Sequence, residues 1–194
     1  NGQHVPLSVT QTQTAVGEIN QNENINLYKD NTSDQYNTEM DGLTVTMTLT
    51  IPVNPGVVNS IKIGVADVSD SSYDSNLLIA ADSVQTELVA LDDNVTMKEG
   101  TTKVIDVLDN DINNTTGSLT ITHINGVAVS AGDSVTLPSG HVVTLNADGT
   151  FSVTTDLDHE ASSFTYEVES TDGSGTVLET DVGFVTITTI PCFV

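Results

Sequence analysis

From Leu43 to Ile51 every second side chain is apolar, and every side chain between is threonine. Successive side chains of an extended chain point to opposite faces. Leu43, Val45, Met47, Leu49 and Ile51 therefore share one face, and Thr44, Thr46, Thr48 and Thr50 the other. Similar alternation of Val, Ile and Thr recurs along most of the sequence, broken by clusters of Gly, Pro, Asn and Asp. A helical period is absent almost everywhere, so the chain reads as all-β. In its first part, segments 5–14, 43–51, 60–68 and 77–84 read as strands. A short strand at 25–28 is expected inside a long amide-rich loop over 17–40, and residues 52–56 form a Pro- and Gly-containing turn.

From Asp92 the pattern is denser. Strands are expected at 95–97 and 102–108 around the turn Lys98-Glu99-Gly100, then at 119–124, 127–129 and 134–137. Segments 141–145 and 151–154 form a hairpin across Asn146-Ala147-Asp148-Gly149, whose Asp-Gly is a strong tight-turn signal. Segments 164–169 and 177–189 close the module across Thr171-Asp172-Gly173-Ser174-Gly175. Short strands at this spacing, some seven in about 100 residues, predict an immunoglobulin-like sandwich.

Charge narrows the partners. The chain of 194 residues has 27 acids against four lysines, no arginine and a net charge of −23. Nothing on it can displace counterions from a nucleic-acid backbone, and anionic lipid surfaces repel it. The longest apolar runs are strand-sized, so no membrane insertion is expected. One cysteine, Cys192, allows no internal disulfide. A bacterial surface or secreted location fits better than a disulfide-stapled ectodomain.

The acids are not evenly spread. Asp92-Asp93, Asp109-Asn110-Asp111 and Asp172 lie at the ends of expected strands. In an Ig-like sandwich the N-terminus, the B–C loop and the F–G loop share one end, so these clusters should converge where the module begins. Clustered carboxylates repel unless a cation lies between them. Calcium suits such a site because it takes six to eight oxygens in irregular loops. Glu99 should lie at the far end and take no part. Asp67, Asp70 and Asp74 form a second candidate calcium loop, against the simpler reading that they hold their own turn through Asx bonds. The polar run Asp156-Leu-Asp-His-Glu160 is read as a loop. His123 and His141 fall in strand patterns and are read as surface or edge residues. No Gly-x-Ser-x-Gly elbow accompanies any histidine, and Trp is absent from a chain that would need aromatic platforms to cleave glycans. The chain is expected not to be an enzyme.

Three stretches resemble known families. Ala90-Leu-Asp-Asp-Asn, Lys98-Glu-Gly and Val104-Ile-Asp-Val-Leu-Asp-Asn-Asp111 resemble the opening of bacterial cadherin-like, Ig-like tandem repeats. Leu145-Asn-Ala-Asp-Gly-Thr-Phe151, Ser163-Phe-Thr-Tyr-Glu-Val168 and Asp172-Gly173 follow in the same order as in that repeat. The resemblance implies an adhesin-type surface module, often calcium-dependent, usually found in arrays. Met40-Asp-Gly-Leu-Thr44, Ile61-Lys-Ile-Gly-Val-Ala-Asp-Val-Ser-Asp70 and Tyr73-Asp-Ser75 resemble the C-terminal half of the bacterial choice-of-anchor β-domain. Ile190-Pro-Cys-Phe-Val194 resembles the start of a Hedgehog/intein self-processing domain. That resemblance implies that the Cys192 thiol attacks the Pro191 carbonyl, given a downstream domain to supply the base.

The expected organisation is a jelly-roll-like β-sandwich fragment over 1–88, an Ig-like or cadherin-like sandwich over 89–190, and the start of a processing domain over 191–194. The expected role is a calcium-stiffened structural or adhesive segment of a larger surface protein, able to assemble into filaments. Its expected partners are other surface-protein domains or copies of itself. The alternative is a glycan-binding or glycan-hydrolysing module.

Overall fold

The computed structural model describes residues 8–9, 18–19, 24–48, 57–65, 76–79, 84, 87–157 and 161–191. The described residues are all β, with one 3-10 turn at Ile25–Leu27 and no α-helix. Ahead of the sandwich, β1 (Ser8–Val9) pairs in parallel with β2 (Glu18–Ile19), and β3 (Tyr28–Asp30) pairs antiparallel with β4 (Gly42–Thr44). The short β5 (Leu88–Val89) leads into the dense second part and pairs with β8 (Ile112–Asn113).

The second part is a two-sheet sandwich. One sheet has the order β10-β9-β14-β15-β6, built from β6 (Asp93–Lys98), β9 (Ser118–Ile124), β10 (Val127–Ala128), β14 (Ala161–Thr171) and β15 (Val177–Ile190). The other has the order β11-β12-β13-β7, from β7 (Thr102–Ile105), β11 (Ser134–Thr136), β12 (Val142–Leu145) and β13 (Phe151–Thr154). Alternate residues of both sheets fill one core. Phe164, Tyr166 and Val168 from β14 meet Val143, Leu145, Phe151 and Val153 from the facing sheet. Phe151 lies edge-on to Phe164 at 5.9 Å and to Tyr166 at 6.2 Å, a geometry that opposes ring edges to ring faces. Gly183 faces Tyr166 across the β14–β15 ladder, and a Cβ there would fall inside the phenol ring. Only glycine leaves room for that tyrosine.

One pairing governs how the chain passes through the module. The first strand, β6, runs parallel to the end of the last, from Asp93 opposite Val185 to Lys98 opposite Ile190. The chain therefore comes in at one end of the sandwich and leaves at the other. Glu99, donating its N–H to Ile190 O, lies at the exit end, as expected.

The turn chemistry behaves as the sequence suggests. Gly149 takes φ 86° in the β12–β13 hairpin, and Asp148 Oδ1 accepts from Thr150 N–H and Oγ1–H.

Several expectations fail in the first part. Segment 25–28 is not a strand. Its first three residues coil into the 3-10 turn after Asn24 adopts a left-handed φ of 47°, and the strand starts at Tyr28. Asparagine tolerates that conformation where most residues do not. Of segment 43–51, only the Gly42–Thr44 strand is laddered. Residues 45–48 are not, although Val45 is buried and bonds Leu27 O through its N–H. The described residues of segments 60–68 and 77–84 form no ladder either, and Ile61, Ile63, Val65 and Leu78 are exposed. Alternation decides which side chains share a face. A strand also needs a neighbour to take its backbone N–H and C=O groups. Residues 49–56 and 66–75, and segment 5–14 apart from Ser8–Val9, lie outside the described residues.

His141 is another correction. It is fully buried rather than at an edge, and its Nδ1 accepts the Asp156 N–H at 3.1 Å. Its strand phase places it inward, opposite the loop that Asp156 begins. His123, on β9, is half-exposed and pairs with Glu167 Oε1 at 2.9 Å.

Candidate acidic site at the start of the sandwich

Two of the three acidic clusters meet. Asp92 and Asp93 open β6, and Asp111 ends the loop after β7. Asn110 ties them together, its Nδ2 donating to Asp92 O and Asp93 Oδ1, each at 3.3 Å. Asp111 Oδ1 accepts the Leu91 N–H at 2.8 Å and Asp92 accepts the N–H of Phe184. The loop after β7 is thus fastened to the start of the module through carboxylates.

Three residues that the sequence did not single out complete the arrangement. The Tyr166 hydroxyl reaches Val107 O at 3.0 Å and the Asp111 oxygens at 3.1 and 3.3 Å. Asp181, buried on β15, accepts the Ala90 N–H at 2.9 Å and the Val182 N–H at 2.8 Å. Asp106 adds negative charge from the side of β7. A signal for Asp181 existed. It shares the phase of Gly183, Val185 and Ile187, and a carboxylate in the inward phase of a strand needs buried partners.

The electrostatics follow from this crowding. Burial is the largest cause that pushes Asp93 up to about 7, followed by repulsion from Asp111, Asp92 and Asp106. One of its oxygens, Oδ2, is buried without a hydrogen-bond partner. Burial likewise raises Asp111 to about 6, against the opposing bonds from Leu91 N–H and the Tyr166 hydroxyl. Asp92 is raised mainly by burial. Desolvation, then Asp111 and Asp93, hold the Tyr166 phenol in its protonated, donating form. Each shift has the sign expected where the charged form lacks both water and a counter-charge.

The other candidates lie elsewhere. Asp109 is exposed in the loop beside Asn110. Asp172 is not brought to the cluster. The β14–β15 register sets Asp181 opposite Val168, and Asp172 lies four residues further on, just past the end of β14, roughly 13 Å at strand rise. There its Oδ1 accepts from Ser174 N–H, Ser174 Oγ–H and Thr176 N–H, which lowers its pKa. The β14–β15 hairpin, with β9 beside it as far as Ser118 opposite Thr171, carries it away, so it caps its own hairpin. No group of three or more His, Cys, Asp or Glu among the described residues stands arranged to hold a metal ion. Asp67, Asp70, Asp74 and Cys192 lie outside the described residues.

Comparison with known families agrees with the two-part reading. The choice-of-anchor L domain model matches residues 1–85, and the bacterial Ig domain model matches residues 84–188. Both are non-catalytic surface domains. Comparison with curated proteins finds no match. No helix among the described residues is long and apolar enough to cross a membrane.

Proposed function

We propose that this chain, which belongs to the bacterial Ig domain family through residues 84–188, is a structural and adhesive spacer in a bacterial surface protein. The observation that carries the reading is the parallel pairing of β6 with β15. A module that the chain traverses from end to end can stand in line with neighbours on either side. The matched choice-of-anchor L domain on the upstream side supports a place at the cell surface.

The finer part of the proposal is that calcium stiffens the start of the sandwich. Asp92, Asp93, Asn110 and Asp111 would supply its oxygens, with Asp109 within the same loop. The crowded carboxylates support this because their ionised forms lack a counter-charge, and a divalent cation would provide one. Residues 92–93 and 110–111 would have to close further around the ion. Asp172 is left out of this ligand set. Copies of the same chain are the partners proposed for assembly, through the outer edge of β7, where Val104 is exposed.

Thermal unfolding with and without calcium tests the reading, run beside a glycan array. At a hundredfold excess over Kd, calcium should add about 2.7 kcal/mol, and Asp93→Ala should remove most of that gain. This variant is cleaner than Asp111→Ala, which would also strip an acceptor from Leu91 N–H and Tyr166. No calcium response in the parent chain would sink the calcium site. Sugar binding or turnover would instead favour a glycan-directed module.

A further inference from the structure

The family boundary falls near residue 85, yet residues far upstream of it are built into the sandwich. The Ile25–Leu27 turn rests on β14, and Asn26 at its centre is 1 % exposed. Its side chain exchanges two hydrogen bonds with Ser139, Nδ2 donating to Oγ at 3.1 Å and Oδ1 accepting the Ser139 N–H at 2.9 Å. Its carbonyl accepts Asn125 Nδ2 at 2.6 Å. Asn125 is fastened in turn to β14, by its own N–H to Thr165 O and by the Thr165 N–H to its Oδ1, both at 2.9 Å.

These partners belong to different sheets. Asn125 sits in the turn between β9 and β10 of the five-stranded sheet. Ser139 sits in the turn between β11 and β12 of the four-stranded one. One residue therefore straps the two sheets together from outside. Beside it, Leu27, Val45, Ile19, Tyr28 and Met47 cluster with Phe184, whose side chain projects from the outer face of β15. Thr165 and Val182, on that same outer face, are buried.

Polar groups buried with matched partners fix geometry, because any slip leaves several donors and acceptors unsatisfied at once. We propose that the outer face of the five-stranded sheet is a docking surface for this chain's own residues 24–48. Asn26 sets the register, and the joint between the two family regions is rigid rather than a hinge. The upstream region then holds the sandwich at a fixed angle, independently of any cation at the acidic cluster.

Amide hydrogen exchange and ¹⁵N relaxation on the full chain test this. In the parent chain, residues 24–48 and the sandwich should tumble with one correlation time, and the Ser139 and Val45 amides should both be protected. Asn26→Ala should raise exchange at Ser139 and Val45 together by roughly tenfold, the loss of both side-chain hydrogen bonds to Ser139, each of modest net worth, while Val153 in the core stays unchanged. Should that variant fail to fold, Ser139→Ala removes one bond alone and should raise Val45 exchange by a smaller factor. Separate correlation times in the parent chain would overturn the rigid joint. So would a rise at Val45 in Asn26→Ala with no change at Ser139.

Discussion

Asp93 shows how a single residue sets the pH behaviour of the module. In an open chain its carboxyl ionises near 3.9, but in the fold it holds its proton up to about 7, with Asp111 following at about 6. Between those limits the folded form binds protons that the unfolded chain has released, so stability must fall as pH rises from about 4 to 7. The penalty is fully present above the folded pKa. Asp93→Asn should flatten this slope and, in calcium-free buffer at pH 8, raise stability by on the order of 1 kcal/mol, the carboxylate being partly screened by solvent. At pH 4 it should change little. Urea titrations at the two pH values check it, and an unchanged slope would assign the dependence to other groups. Gly183→Ala makes a second prediction at this scale. Its Cβ would invade the Tyr166 ring, and overpacking of this kind costs about 1–3 kcal/mol, read as a lowered urea midpoint.

Among the elements, the turns separate two roles that glycine plays. Gly149 has φ 86° and a Cβ there would meet nothing closer than Leu108 Cδ1 at 4.0 Å. Gly149→Ala should therefore cost only the backbone strain of a left-handed residue, about 1 kcal/mol. Gly173, at the tip of the long hairpin, has open space around it and no positive φ. Gly173→Ala should leave the urea midpoint where it is. Equal effects at the two sites would mean that the positive φ of Gly149 is not what the first turn requires of glycine. The strand elements divide in a related way. β12 and β13 find each other across five residues, 146–150, whereas residues 60–65 alternate just as regularly and join no ladder.

Across the whole molecule, β6 beside β15 determines how the sandwich resists tension. Force applied at Asp93 and Ile190 slides two parallel strands past each other and loads their bonds together. Force applied at Gly100 and Ile190, both at the exit end, opens the same pair one bond at a time. Single-molecule extension should therefore need a higher force in the first geometry than in the second. Equal forces would show that another contact gives way first. The residues that cluster on Phe184 lie on the opposite side of this sheet from the core, so they add a third layer over it.

Much of the sandwich was legible because its signals are local. Alternating Val, Ile and Thr set the faces of β6 to β15, and Asp148-Gly149 marks a hairpin through a conformation only certain residues adopt. Asp92, Asp93 and Asp111 could be placed together because strand order alone brings the ends of β6 and β7 to one end of an Ig-like sandwich. Asp172 could not be placed, since how far β14 and β15 run beyond Val168 and Asp181 before they turn is decided by pairing between distant strands. Tyr166, Asp106 and Asp181 entered the acidic site through contacts between distant strands. Asn26, 99 residues before Asn125 and 113 before Ser139, carries no local mark of its role. Backbone and side-chain preferences act over a few residues, whereas burial and hydrogen-bond partnership depend on what the folded chain brings alongside.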